Sequence, residues 1–379
     1  MARPLTFELL GVDLTTWARR GRMATRHGVV ETPAFMPVGT QATVKTLHPD
    51  EVSGTGAQIV LANTYHLMLR PGVDLIERAG GLHRFMGWPG PILSDSGGFQ
   101  VFSLARQTKV TEEGVIFRSH IDGSRHALTP ERAVDLQVRF GSDIAMVLDH
   151  FVGLPAERAA VAASTARTAR WLDRAVAAYR ALEGAERVSA LFGICQGGME
   201  ADLRKESAAR IAGSDVAGCA IGGLSVGESK PVMAAMLEAT TPELPPDKPR
   251  YLMGVGSPED LWEGVARGVD LFDCVLPTRL ARNGALFTPT GRVDIRSGRF
   301  RDLHEPVDPS CDCTTCGTFT AAYLHHLFRA REVLGLRLAS IHNLRFLGRQ
   351  IEIMRSAIEG GTFATARALF HATYRPIGG

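Results

Sequence analysis

Three carboxylates, a carboxamide and a crowd of thiols carry most of the chemistry open to this sequence. Asp273 lies in Asp270-Leu-Phe-Asp273-Cys-Val-Leu-Pro277-Thr-Arg279-Leu-Ala-Arg282-Asn-Gly284. Pro277 has no amide to give to a ladder, so a strand must stop before it. The stretch reads as a short buried strand that delivers a carboxylate to a rim. A loop follows, in which Arg279 and Arg282 can grip phosphate or a base edge. The plainer alternative is a buried Asp273 paired with one of those arginines. Asp95 precedes Ser96, Gly97 and Gly98, a turn that lets backbone approach a ligand closely, unless it merely caps a helix. Asp149 follows the apolar Met146-Val-Leu and ends a strand, where an ion pair with a core arginine is the alternative. Gln196 has a plainer reading too, as a partner for backbone.

Together these groups fit a planar base. A carboxylate and a carboxamide can bond the edge of a purine, because Asp accepts and Gln both donates and accepts. The amides of Gly222 and Gly223 can donate to a carbonyl, and Phe99 offers a flat face for stacking. Asp95 and Asp273 make the minimal pair for glycosidic chemistry, one attacking the anomeric carbon and one handling the proton. The residues alone therefore point to base recognition with glycosyl transfer and leave the substrate open.

Cys311, Cys313 and Cys316 fall within six residues, a zinc signal in a reducing compartment. His304, His325, His326 and His342 are candidate fourth ligands, and spacing does not choose among them. Four protein ligands with no open position would make a structural site; a redox cluster is the alternative. Cys195, Cys219 and Cys274 sit in apolar runs, so no disulfide framework is expected, and the protein is expected to be cytoplasmic.

Positioning these groups needs a scaffold. The chain has 379 residues, 45% of them hydrophobic, enough for one large core. Its net charge of +2 confines any nucleic-acid contact to a local patch. No apolar run approaches the roughly 18 residues of a membrane span, and the first ten residues lack the core of a signal peptide. Eight short apolar runs recur, at 34–38, 59–62, 92–94, 144–148, 191–195, 219–221, 251–253 and 271–275. Near-continuous apolarity is what parallel strands covered on both faces require. Helix-like stretches separate most of them, the clearest at 155–182. Eight alternating units predict an α/β fold, a (β/α)8 TIM barrel, with a doubly wound open sheet as runner-up. Residues 1–33 predict antiparallel hairpins, and 285–295 a further hairpin turning at Thr290-Gly291. Helices are expected at 319–333 and 337–359. His325, His326 and Tyr323 on the first are candidates for a subunit contact or a solvated face. In such a barrel the site lies at the carboxyl ends of the strands, where Asp95, Asp149, Gln196, Gly222, Gly223 and Asp273 would all converge.

The motifs also carry a resemblance. Asn63-Thr-Tyr-His-Leu-Met-Leu-Arg-Pro-Gly72, Ser94-Asp-Ser-Gly-Gly-Phe-Gln100, Gln196-Gly-Gly198, Ile221-Gly-Gly-Leu-Ser-Val-Gly-Glu228, Tyr251-Leu-Met-Gly-Val-Gly256, the stretch from Asp273 to Gly284 and the cysteine cluster cover nearly the whole chain. In these it resembles the bacterial tRNA-guanine transglycosylases (the queuine tRNA-ribosyltransferase family). The resemblance implies exchange of the wobble guanine of GUN-anticodon tRNAs for 7-aminomethyl-7-deazaguanine (preQ1), through a covalent aspartyl-ribose intermediate. It implies Asp273 as nucleophile and Asp95 as proton acceptor. Base contacts are implied for Asp95, Ser96, Gly97, Gly98, Phe99, Asp149, Gln196, Gly222, Gly223, Leu224, Val226 and Met253. RNA contacts are implied for Gly254, Val255, Gly256, Ser257, Pro258, Glu259 and Asp260, and for Thr278, Arg279, Leu280, Ala281 and Arg282. One structural zinc per subunit would be held by Cys311, Cys313, Cys316 and His342. That zinc would sit in a subdomain, residues 284–342, inserted before the last helix of an irregular barrel that spans 1–379, and the enzyme would be a homodimer. Val226 would favour preQ1 over bulkier queuine. Two positions depart from the family pattern: His150-Phe151 stands where many members have Glu-Cys, and Phe319 where Trp is frequent. The rival readings are a non-catalytic tRNA-binding paralogue, disfavoured by the presence of both Asp95 and Asp273, and a zinc-dependent barrel hydrolase, disfavoured by cysteines that fall after the eighth run.

Overall fold

The computed structural model describes residues 4–104, 106–153, 155–182 and 189–376. The chain opens with three antiparallel strands, β1 (Leu5–Val12), β2 (Arg19–Thr25) and β3 (Gly28–Thr32), in the order β1-β2-β3. This is the expected hairpin cap. It covers the amino-terminal end of the barrel, where buried Asp143 accepts from His27, His83 and the Ile92 amide and Arg19 pairs with buried Asp270.

Eight parallel strands then close on themselves. They are β4 (Ala34–Gly39), β5 (Val60–Ala62), β6 (Ile92–Ser94), and, after an inserted sheet, β10 (Ile144–Met146), β11 (Ala190–Cys195), β12 (Gly218–Ile221), β13 (Arg250–Leu252) and β14 (Leu271–Cys274). Each lies beside its predecessor in the chain, and β14 closes on β4 through pairs such as Asp273 with Met36. Every residue of the eight strands but Cys274 is buried, which is why the sequence reads there as apolar runs. The barrel reading holds, and the open-sheet alternative falls.

The insertion between β6 and β10 is a three-stranded antiparallel sheet, β7 (Arg106–Val110), β8 (Val115–Arg118) and β9 (Arg125–Leu128), which the sequence reading does not contain. The helix expected at 155–182 runs over Arg158–Ala181 and buries Val161, Thr165, Thr168, Leu172, Ala175 and Val176 at helical spacing.

After β14 the chain departs from the expected loop. Leu276–Arg282 is a short helix, because proline is well tolerated in a first turn, where its missing amide would have no partner anyway. A hairpin of β15 (Ala285–Thr288) and β16 (Gly291–Asp294) follows. Thr288 pairs with Gly291, so the turn is Pro289-Thr290, one residue earlier than expected. The two expected helices span Ala321–Ala330 and Val333–Glu359, the second starting four residues before the expected 337, and a further helix, Phe363–Thr373, follows them. Buried Asn343 ties that long helix to its neighbours. It accepts from the Phe287 amide at 3.0 Å and donates to Pro277 O at 3.0 Å and Ala285 O at 2.9 Å.

Candidate active site at the mouth of the barrel

The carboxyl ends of the strands surround a cavity of about 500 Å³, within the range of small-molecule sites. Asp95, Asp149, Gln196, Gly222, Gly223, Leu224, Met253 and Asp273 all line it.

Asp273 comes from the end of β14. Its Oδ1 accepts from the Tyr251 hydroxyl at 2.6 Å and from the Gly254 amide at 2.7 Å. Its Oδ2 has no hydrogen-bond partner among the described residues. Neither Arg279 nor Arg282 pairs with it, so the plain ion-pair alternative is not what the fold builds. Burial raises the Asp273 pKa above the ordinary carboxylate value, and the Tyr251 and Gly254 bonds pull it back in part.

Asp95 is held from four sides. Oδ1 accepts from the Thr64 amide at 2.8 Å and the Gly97 amide at 3.2 Å; Oδ2 accepts from Asn63 Nδ2 and from Gln100 Nε2 at 2.8 Å. These donors fix the carboxylate without supplying a countercharge. Burial pushes its pKa up to about 6; the Asn63 and Thr64 bonds oppose that shift, and the charge of nearby Asp273 adds to it.

Asp149 accepts from Gln196 Nε2 at 2.6 Å, and burial pushes its pKa up to about 6 against that bond. No arginine pairs with Asp149 among the described residues. The Asp149–Gln196 contact joins the ends of β10 and β11 into one polar edge. Gly222 and Gly223 bring their backbone against this edge: a Cβ would meet Gln196 Nε2 at 2.7 Å and Gln196 Oε1 at 2.5 Å respectively.

Phe99 is half exposed at the rim, and Phe151 sets its ring edge-on to it, centroids 5.2 Å apart; both line the cavity. His150 turns away from that edge. Its Nδ1 accepts from Arg167 at 3.1 Å, and burial, then the Arg167 charge, lowers its pKa to about 4, so it is neutral near pH 7.

The expected RNA-contacting residues divide. Gly254, Thr278, Arg279 and Arg282 line the cavity; Val255, Gly256, Ser257, Pro258, Glu259, Asp260, Leu280 and Ala281 do not. Val255 is buried, Ser257 caps the helix Pro258–Ala266, and Asp260 pairs with Lys230. Arg282 keeps a buried Nη1 without a partner among the described residues. Ser96, Gly97, Gly98 and Val226 also line the cavity.

Sequence reasoning gave no role to Tyr251, Asn63, Thr64 or Gln100, which orient the two acids. The signal for Tyr251 was a hydroxyl inside an apolar run, one strand away from Asp273; a buried hydroxyl needs a partner.

Away from the mouth, Cys311, Cys313, Cys316 and His342 bring their donor atoms within 4.8 Å of one another, all buried, and could hold a metal ion. His342 Nδ1 lies 3.3 Å from Cys316 Sγ and 3.7 Å from Cys313 Sγ. Its Nε2 meets Phe287 O at 2.7 Å, which fixes the ring and leaves Nδ1 for an ion. His325 instead bonds Ile295 O. None of the four cluster residues lines the cavity, so this cluster does not supply a hydrolytic metal there.

Comparison with known proteins agrees with the geometry. The family description "Queuine tRNA-ribosyltransferase" matches residues 13–376. The chain is similar to the Queuine tRNA-ribosyltransferase of Herpetosiphon aurantiacus, 61% identical over 90% of this chain and 86% of that protein. It is similar to those of Desulforudis audaxviator, 57% identical over 97% of this chain and 98% of that protein, and Moorella thermoacetica, 54% identical over 98% of each.

Proposed function

We propose that this chain, which belongs to the queuine tRNA-ribosyltransferase family, exchanges its base through a covalent link between Asp273 and the ribose of the tRNA. The chain is a tRNA-guanine transglycosylase, a pentosyltransferase of queuosine synthesis. The observation that supports the covalent reading is the asymmetry of Asp273: one oxygen held by two donors, the other unbonded on the cavity.

In the first half-reaction Asp273 Oδ2 attacks C1′ of the ribose of the wobble guanosine. The C1′–N9 bond breaks and its electron pair leaves on N9 of guanine, which takes a proton from water; the proton that Asp95 gains in the second half-reaction returns to water. In the second, Asp95 accepts the proton from N9 of the incoming base; N9 then attacks C1′, and the Asp273 carboxylate departs. Two displacements restore the configuration at C1′, and no external energy source is needed. An unpaired wobble base can be splayed out at low cost.

Asp149 and Gln196 read the edge of the base that carries its N–H groups, the amides at Gly223 and Leu224 meet its carbonyl, and Phe99 and Met253 enclose its faces. Ser96, Gly97 and Gly98 let the backbone come close. Val226 limits the room for a 7-substituent and so favours preQ1 over queuine. Thr278, Arg279 and Arg282, with the backbone from Gly254 to Asp260, hold the anticodon loop of GUN tRNAs; the unpartnered Arg282 Nη1 supports this.

The four-donor cluster suits zinc, whose tetrahedral sites favour thiolate and imidazole, one structural ion per subunit within a subdomain of residues 284–342. Two copies form a homodimer through the face where Phe319 stacks on exposed Tyr323; a monomer at micromolar concentration in sedimentation would overturn that assignment. No helix among the described residues is long and apolar enough to cross a membrane, and all six cysteines are free, which supports residence in the cytoplasm.

The decisive experiment traps the RNA–enzyme adduct by rapid denaturation and maps it by mass spectrometry. The adduct is expected on Asp273, and Asp273→Ala is expected to abolish incorporation of labelled guanine. An adduct on any other side chain, or incorporation that survives the substitution, overturns the mechanism.

A further inference from the structure

Arg204, on the helix Ala201–Ala212, is fully buried, yet no carboxylate lies within ion-pair distance of it among the described residues. Its fork is spent on backbone. Nε donates to Gly198 O at 2.8 Å, Nη1 to Gly222 O at 3.0 Å and Nη2 to Gly223 O at 3.2 Å. A buried guanidinium with no carboxylate in contact is costly to keep; burial lowers its pKa, and the Cys195 side chain and the more distant Glu228 charge oppose that only in part. Such a group is out of place as a mere filler: a methionine would occupy similar space without the desolvation.

Two of the three carbonyls it holds belong to peptides of the cavity wall. The peptide whose oxygen is Gly222 O carries the Gly223 N–H, and the one whose oxygen is Gly223 O carries the Leu224 N–H. Neither amide has an acceptor in the backbone network of the described residues, and both residues line the cavity. A cation on a carbonyl oxygen draws electron density through the peptide group and makes its N–H a stronger donor. The far side of the same loop is held differently, by the Glu228 carboxylate, which accepts from the Ser225 and Val226 amides.

We infer that Arg204 is a positioning residue for base selection: it fixes the Gly222-Gly223-Leu224 peptides and strengthens their amides toward the 6-oxo group of the purine. The inference rests on the reading above that these amides meet the carbonyl of the base. Arg204 does not touch the base itself and acts through the peptides.

The test compares guanine with 2-aminopurine, which lacks the 6-oxo group, as competitors of labelled-guanine exchange into tRNA. For the unaltered enzyme guanine is expected to bind better. In Arg204→Met that preference is expected to shrink about tenfold, the order of one lost hydrogen bond that had a charge behind it, with the KM for tRNA unchanged. The preference is a ratio within one preparation, so an unfolded fraction cancels. Arg204→Lys keeps a charge but reaches fewer carbonyls, so its preference should fall between the two, and it carries the test if the methionine variant does not fold. A preference unchanged in both variants overturns the inference, as does one that shrinks only in step with a rise in the KM for tRNA, the mark of general loosening. Equal binding of the two bases by the unaltered enzyme overturns the base-reading assignment itself, and the inference with it.

Discussion

Tyr251 donates its hydroxyl to Oδ1 of Asp273 at 2.6 Å, from β13 to the neighbouring β14. The bond sorts the two oxygens of the carboxylate: one is anchored and the other is left unbonded on the cavity. It also bears on the second half-reaction proposed above, in which Asp273 would leave C1′, because a donor on the departing carboxylate lowers its basicity.

Tyr251→Phe should therefore prolong the adduct. A hydrogen bond to a charged group contributes about 1.5–3 kcal/mol, so loss of the donor should slow aspartate departure at least about tenfold. Overall exchange falls while the amount of trapped RNA adduct rises. Quenched-flow sampling with labelled tRNA measures both; an adduct no longer-lived than that of the unaltered enzyme would sink the assignment.

Acid should inactivate the second half-reaction. Asp95 accepts a proton only when ionised, and its pKa stands near 6 because burial raises it. The raised value means that the active form is present above about pH 6 and is lost below it. We expect kcat/KM for the free base to fall about fivefold between pH 6 and 5 and to approach tenfold per pH unit below that, with Asp149, also near 6, steepening the fall. A profile flat down to pH 5 contradicts the assignment.

Metal should be inseparable from the fold of the carboxyl-terminal region. If the cluster holds the proposed zinc, Cys316→Ala should lose metal and much of its folded protein together, because the cluster contains no disulfide to hold it in the ion's place. Elemental analysis beside thermal melting checks this. A soluble, metal-free and fully active variant would refute a structural ion.

Arg279→Ala and Arg282→Ala should weaken tRNA binding and reduce the slope of log affinity against log salt by about one each, as for a lost phosphate contact. Binding of the free base should not change. Filter binding across a salt series decides it, and an unaltered tRNA affinity removes these residues from the interface.

The barrel was legible because its physics writes a coarse pattern: strands buried on both faces must be apolar, and eight such runs leave few folds. The acids were legible because each interrupts or ends an apolar run. The sheet β7-β8-β9 was not, since strands such as Arg125–Leu128 are mostly outside the core and carry no apolar run. The helix Leu276–Arg282 was hidden by Pro277, which reads as a breaker unless the helix start is known. Tyr251 reads as one more core aromatic until its neighbour across the strands is known. Asn343 is a lone amide in a long amphipathic helix, and nothing local marks its three partners, between 56 and 66 residues away.

His342 and Asn343 are consecutive, and they reach in two directions. One belongs to the thiol cluster; the other clasps Pro277 in the helix that bears Arg279 and Arg282. Scarcity of an ion in the cluster would thus be felt at the arginine-bearing helix as well as in the carboxyl-terminal fold. Gradual chelation should raise the KM for tRNA in step with the loss of folded structure, and a KM for tRNA that stays constant while the ion is removed would show that the two neighbours are not coupled.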